Sequence, residues 1–376
     1  MRRYATIARV FSRRAHWSAP LNDLTIARQR RGSDLLDLTI SNPTRAGIDY
    51  PIEELAEALA RGARATYDPD PRGLRSAREA LARELACDPD DLIITASTSE
   101  AYSFLFKLLC DPGDNVLTAT PTYPLLEHLA SMELIELRTF ALEFHRRWEI
   151  DPSRVRAALT PRTRAIVVVN PNNPTGSFVT EQDELASINL PIVSDEVFRD
   201  YPLDSSPAPS IVRDDVLTFA LGGLSKSAGL PHYKLGWIRV SGPRDAKREA
   251  LDALEMIADN FLSVATPVQS ALPDLLRIAP RIRSAISERT RANLASLRAA
   301  VPASIDVLPV EGGWSAVLRV PRLQTDEQLT IDLIEKHGVA VQPGYFFDFE
   351  SDGYLVVSLL TPCETFDEGI RRMIQR

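Results

Sequence analysis

Lysine is almost missing from this chain. Of 43 basic residues only five are lysines (Lys107, Lys226, Lys234, Lys247 and Lys336), and the rest are arginines. The skew as a whole reads as mutational bias, so the question is whether any surviving lysine does what arginine cannot. Cysteine is scarce too: Cys87, Cys110 and Cys363 are odd in number, widely spaced and show no CxxC pair. That excludes a disulfide framework or structural zinc site and makes a reducing, cytoplasmic compartment the expectation. There is no HExxH, no His/Cys cluster for a metal, no GxGxxG and no GxxxxGK[ST]. No apolar run approaches the ~18 residues of a membrane-spanning helix. A net charge of −8 argues against coating nucleic acid or an anionic membrane. No acid precedes Asp23 and arginine is frequent there, superficially like a transit peptide, but serine enrichment is lacking and Pro20 and Asn22 break the pattern. The stretch reads as an N-terminal arm of the folded protein.

What is present is an alternation of short apolar runs with helical patterns. Leu92–Thr95, Val116–Ala119, Ala165–Val169, Ile192–Ser194, Val216–Leu221 and Trp237–Val240 are continuous rather than alternating, as strands buried on both faces should be. Pro51 opens a helix with Ile52, Leu55 and Leu59 on one face, and Leu74, Ala77, Leu81 and Leu85 mark a second. The succession implies an α/β fold: a large domain whose mostly parallel sheet is flanked by helices. A helix over 246–262, with Leu251, Leu254, Ile257, Ala258 and Phe261 inward, then introduces strands Ser315–Val320, Val339–Val341 and Tyr354–Leu360, a smaller α+β domain. Leu35–Ile40 reads as a strand that joins it. The expected division is 1–45 for the arm and part of the small domain, 46–245 for the large domain and 246–376 for the small one.

Four motifs sit at the ends of the expected parallel strands, where open α/β sheets bind ligands. Ser97-Thr98-Ser99 opens a helix, and hydroxyls with free N–H groups there suit either a plain cap or a phosphate. Asn170-Pro171-Asn172-Asn173-Pro174-Thr175-Gly176 is a rigid turning loop richer in amides than a bare connection needs. Asp195 ends a buried strand, as a helix cap or as a charge aimed into the crevice. Gly222-Gly223-Leu224-Ser225-Lys226-Ser227 puts a lysine in a small-residue loop, where its amine can be desolvated. Only a primary amine condenses with an aldehyde, so Lys226 suits Schiff-base chemistry.

In this order, NPTG, then Asp195-Glu196-Val197, then Ser225-Lys226 with Gly229, Pro231, Lys234 and Gly236-Trp237, the motifs resemble the pyridoxal-phosphate-dependent class I/II aminotransferases of the aspartate aminotransferase superfamily, fold type I. The resemblance runs from about Leu38 to Leu360. It implies pyridoxal 5′-phosphate as cofactor and Lys226 as the residue that forms the internal aldimine and shuttles the proton. It implies that Asp195 pairs with the pyridinium nitrogen, Asn173 with the ring hydroxyl, and Tyr123 with the ring face. Ser97, Thr98, Ser99, Ser225 and Lys234 would serve the phosphate or its surroundings. Tyr67 would reach the phosphate in the partner subunit's site, making a homodimer. Asn42 and Arg45 in the turn after Ser41, together with Trp314 in Gly312-Gly313-Trp314 and Pro343-Gly344, would border an amino acid and 2-oxo acid substrate.

Three positions depart from the family. Gly223 stands where a serine is usual, and Phe198 where a tyrosine is usual. Val356, in Tyr354-Leu355-Val356-Val357-Ser358, stands where an arginine clamps the substrate carboxylate. Arg45 is the candidate replacement for that arginine. The missing clamp keeps a lyase, decarboxylase or oxidase on the same scaffold as the alternative to an aminotransferase. A sensing module fused to a DNA-binding domain is disfavoured, because no such domain fits before residue 35 and both Lys226 and Asp195 are retained.

Overall fold

The computed structural model describes residues 21–203 and 209–375, together with Ser12 and Arg14, so most of the arm expected before residue 21 lies outside the described residues. The main sheet contains β1 (Leu92–Thr95), β2 (Asn115–Thr120), β3 (Glu136–Ala141), β4 (Thr163–Val169), β5 (Ile192–Asp195), β6 (Thr218–Gly223) and β7 (Gly236–Ser241). Their order is β1-β7-β6-β5-β4-β2-β3. Neighbours are parallel except at β7, which is antiparallel to both β1 and β6. Helices α2 (Ile52–Gly62), α3 (Arg75–Leu85), α4 (Thr98–Leu109), α5 (Arg244–Asp259) and α6 (Thr266–Ala300) pack on the main sheet, whereas α1 (Asp23–Arg31), α7 (Asp326–His337) and α8 (Cys363–Ile374) pack with the smaller unit.

Burial on both faces explains the unbroken apolar strands. In β1, Leu92 and Ile94 join the core under α2, α3 and α6, while Ile93 between them joins the opposite core with α4 and α5. Each such side chain, taken fully out of water, contributes roughly 1.5–3 kcal/mol. Strand β6 starts two residues later than expected and runs through Gly222 and Gly223, which pair with Trp237 and Gly236 of β7. Glycine is needed at 222 because a Cβ there would lie 2.4 Å from the Trp237 ring.

The smaller unit is an antiparallel sheet of β8 (Asp306–Val307), β9 (Ser315–Arg319), β10 (Gln342–Pro343) and β11 (Tyr354–Ser358), ordered β8-β9-β11-β10. The expected strand at Leu35–Ile40 is reduced to Leu36–Asp37, pairing in parallel with Val339–Ala340. The division expected at residue 245 falls one helix too early. Helix α5 buries Ala250, Leu251, Leu254 and Ala258 in the core it shares with α4 and the main sheet. The crossing is made inside α6: its residues through Ile286 belong to the main core, and Leu294 and Leu297 to the smaller unit's core. A continuous helix leaves no linker composition to read. Phe261, expected to point inward, is 49% exposed, because α5 ends at Asp259 and its helical period no longer applies.

Candidate active site

The carboxyl ends of β1, β4, β5 and β6 and the start of β7 converge on a cavity of about 490 Å³, closed on its other side by the smaller sheet. Ser97, Thr98, Ser99, Tyr123, Asn173, Asp195, Ser225, Lys226, Lys234 and Trp314 all line it, so ten of the residues singled out in the sequence are brought together.

Lys226 lies in the short helix Leu224–Ser227 immediately after β6. Its loop is fastened from outside: Tyr201 Oη donates to the Lys226 carbonyl at 2.6 Å, Tyr50 Oη to the Gly229 carbonyl at 2.6 Å, and Arg283 Nε to the Ser227 carbonyl at 3.1 Å. The amine itself is only loosely held, donating to the Ser41 carbonyl at 3.4 Å. Its Nζ lies 4.9 Å from the Trp314 ring centre and 5.5 Å from that of Phe198. Burial disfavours the ammonium and brings the pKa down to about 8, against an opposing pull from Asp195.

Alternation along β5 separates two adjacent acids. Glu196 accepts bonds from Ser194 Oγ at 3.1 Å, Ser210 Oγ at 2.7 Å and the Ile211 N–H at 2.8 Å, and so anchors a loop. Asp195 turns into the cavity, where burial pushes its pKa up to about 6. Two donors counter that rise by favouring the ionised form: the Val197 N–H at 3.2 Å and Tyr102 Oη at 3.1 Å. Tyr102 was missed in the sequence. Its signal was position: it follows Thr98 by four residues on α4, one turn along the face that begins at the hydroxyl cluster.

At the opposite end of the cavity, Ser97 caps α4, its Oγ accepting the Glu100 N–H at 3.2 Å, while the Glu100 carboxylate accepts the Ala96 N–H at 2.7 Å. The cap reading holds for Ser97 and leaves the N–H groups at the start of the helix open to a ligand. Ser97 is used as a cap, whereas Thr98 and Ser99 open the helix, where N–H groups lack intrahelical acceptors. Lys234, with left-handed backbone (φ 51°), faces the same cavity.

The three asparagines of the turning loop divide the same way. Asn170 donates to the Pro209 carbonyl at 2.8 Å, and Asn172 to the Pro121 carbonyl at 3.0 Å and Thr175 Oγ1 at 2.9 Å, which builds the loop. Asn173 is left to the cavity. Tyr123 follows β2, and burial, then Asp195, raise its phenol's pKa.

Three predicted residues stand elsewhere. Asn42 is exposed and spends its side-chain oxygen on the Thr44 N–H at 3.1 Å and Thr44 Oγ1 at 2.8 Å. Arg45 is exposed in the same turn and does not line this chain's cavity. Tyr67 is 68% exposed, outside its own chain's cavity. Conversely Thr39, Ser41, Gln342, Phe346 and Phe347 line the cavity without having been singled out. Among the described residues no cluster could hold a metal ion, and no helix is long and apolar enough to cross a membrane.

A desolvated lysine, a buried carboxylate and a hydroxyl-rich helix start around one cavity define a fold type I pyridoxal-phosphate protein. The sequence profile of Aminotransferase class I and II matches residues 33–372, and the chain belongs to that family. It is 30% identical over 262 residues to the glutamate-pyruvate aminotransferase AlaA of Escherichia coli (strain K12), a match covering 66% of this chain and 65% of that one. The chain thus spans about two thirds of that relative's length. It is 25% identical over 382 residues to the Haemophilus influenzae protein of the same name, covering 94% and 93%. The solved alanine aminotransferase from Pyrococcus furiosus superposes with a TM-score of 0.83 at 25% identity, covering 94% of this chain and 96% of that one. The family's cofactor is pyridoxal 5′-phosphate, and the donor set here fits it. A primary amine stands ready for the aldehyde, a buried acid for a ring cation, and N–H, hydroxyl and ammonium groups for a dianion.

Proposed function

We propose that this protein exchanges an amino group between a primary-amine donor and an oxo acceptor, with Lys226 and Asp195 as its catalytic pair and Tyr123 against the cofactor ring. The observation that carries the reading is a half-buried lysine sharing one cavity with a buried aspartate. When bound, pyridoxal phosphate supplies an aldehyde for an amine to join and an electron-poor ring that accepts charge from the substrate's α carbon. Near neutral pH, Lys226 Nζ interconverts readily between amine and ammonium, as needed first for a nucleophile and then for a group that takes a proton from the α carbon and returns one. Asp195, ionised above about pH 6, would hold a proton on the ring nitrogen by charge. Asn173 would donate to the ring oxygen alone, since Phe198 offers no hydroxyl. Thr98, Ser99 and Lys234 would hold the phosphate, with Ser97 and Ser225 shaping its seat.

The names of the relatives point to glutamate, alanine and pyruvate, hence to amino acids and 2-oxo acids as the exchanged pair. The exposed Tyr67 supports a homodimer in which this ring completes the other subunit's site. Three free thiols support a cytoplasmic location. Mixing holoenzyme with a panel of amino acids and neutral amines tests the reaction. Loss of the cofactor's visible band with one equivalent of oxo product is expected. Product release with the band intact would instead identify a lyase, decarboxylase or oxidase.

A further inference from the structure

We propose that the amino donor presents an uncharged hydrogen-bonding group, a carboxamide or a hydroxyl, where an amino acid carries its α-carboxylate. The inference deepens the aminotransferase reading and rests on it. Val356 has no exposed surface, and the register of β11 sets Gln342 and Val317 opposite it and Ser315 opposite Ser358. Directly opposed residues of an antiparallel pair share a face, and Gln342, Ser315 and Ser358 line the cavity. This face therefore reaches the cavity at Gln342, Ser315 and Ser358, while Val356 and Val317 between them pack into the core with Leu117 and Ala119, and it carries no charge.

Its hydroxyls are partly committed. Ser358 Oγ donates to the Ile40 carbonyl and accepts the Leu360 N–H at 3.2 Å. Thr39 Oγ1, beside it, donates to Asp37 and accepts from Arg28 Nη1 at 3.2 Å, and Arg28 is itself paired with Asp37 at 2.7 Å. The groups left to meet a ligand are the Gln342 amide, the Ser315 hydroxyl and Trp314 Nε1, which is buried without a partner. Among the described residues the only cations lining the cavity are Lys226 and Lys234, both at the cofactor end. A carboxylate set against this wall would lose its water without gaining a cation. An amide or hydroxyl would exchange water for a primary amide that both donates and accepts.

The test compares the half-reaction of holoenzyme with L-alanine, L-alaninamide and L-alaninol, each corrected for its fraction of free amine. At least one neutral amine should react with kcat/KM tenfold or more above L-alanine, and the faster of the two distinguishes carboxamide from hydroxyl. Val356→Arg should shift the ratio at least tenfold toward L-alanine. Gln342→Arg, which places the guanidinium on a half-buried position, should do the same if the first variant fails to fold. Calorimetric titration, free of turnover, should find 3-phenylpropionamide bound at least tenfold more tightly than 3-phenylpropionate. L-Alanine reacting within tenfold of both neutral amines, or faster, would overturn the inference while leaving an aminotransferase. Silence with every amine would overturn both readings.

Discussion

Every titratable side chain that lines the cavity (Tyr123, Asp195, Lys226 and Lys234) comes from the main sheet's side, whereas the smaller unit contributes Trp314, Ser315, Gln342, Phe346, Phe347 and Ser358, all neutral. The two walls differ in how they are held as well. The charged wall hangs from strand ends and is fixed by bonds reaching across elements, such as Tyr201 to the Lys226 carbonyl at 2.6 Å and Tyr102 to Asp195 at 3.1 Å. On the neutral wall, Ser315, Gln342 and Ser358 belong to a sheet whose register sets the face they share, while Trp314, Phe346 and Phe347 flank its strands. The comparison teaches that reaction chemistry and substrate choice occupy separate pieces of the fold, so each should be breakable without the other.

The largest break is expected at Lys226. Lys226→Ala removes both nucleophile and proton carrier, and turnover should fall by at least ~10⁴-fold. Stopped-flow absorbance on the loaded protein checks this, and a variant keeping a hundredth of the rate would remove Lys226 from the chemistry.

Asp195→Asn comes next and should act in opposite directions on rate and stability. Turnover should drop by roughly 10²–10³, as when a placed charge is lost from a reacting site. Folded Asp195 has its pKa raised from 3.8 to about 6, so its contribution to stability is full below 3.8 and is lost as pH rises through 6. Above that, the wild type buries an anion that the variant does not, a difference on the order of 2–3 kcal/mol. Urea midpoints of the two cofactor-free proteins should coincide near pH 4 and separate by pH 8, with the variant more stable. A separation independent of pH would count against the buried anion.

Tyr102→Phe should cost about tenfold in rate, the worth of one hydrogen bond to a charged group. Because that bond favours the ionised carboxylate, the acid limb of the kcat/KM profile should move to higher pH. An unmoved limb would leave Tyr102 a packing residue. The smallest effect belongs to Ser97→Ala, where loss of the cap on α4 should cost ~1 kcal/mol of stability, read from thermal denaturation. Substrate preference should stay constant across the Asp195, Tyr102 and Ser97 variants, since none of these three side chains makes a hydrogen bond or ring contact with the neutral wall.

The cofactor end was legible because all its residues but Lys234, which stands just before antiparallel β7, end a parallel-sheet strand or follow one within a few positions, and parallel strands deliver their carboxyl ends to one edge. Asp195 could be read from the residues alone as a helix cap or as a charge aimed into the crevice; the structure turns it into the cavity and leaves Glu196, just past β5, to anchor a loop. The substrate end was not legible in the same way. The resemblance implied Asn42 and Arg45 as pocket residues, yet Asn42 is spent on capping its own turn and Arg45 is exposed at the surface. Gln342 gave no signal at all, because its place in the cavity wall follows only from its register with Val356. Likewise the boundary expected at 245 dissolved into α6, whose one continuous run serves two cores.

The near absence of lysine thus marked Lys226 before any coordinates did. Bias can replace lysine with arginine wherever only positive charge is needed, but not where an amine must lose its proton and attack a carbonyl. That requirement is written in one residue type and survives at the level of sequence. The depression of that amine's pKa, the rise at Asp195, and the neutral face of β9, β10 and β11 were decided only by tertiary structure. Desolvation and strand register are properties of neighbours distant in sequence, and no single segment of the chain contains them.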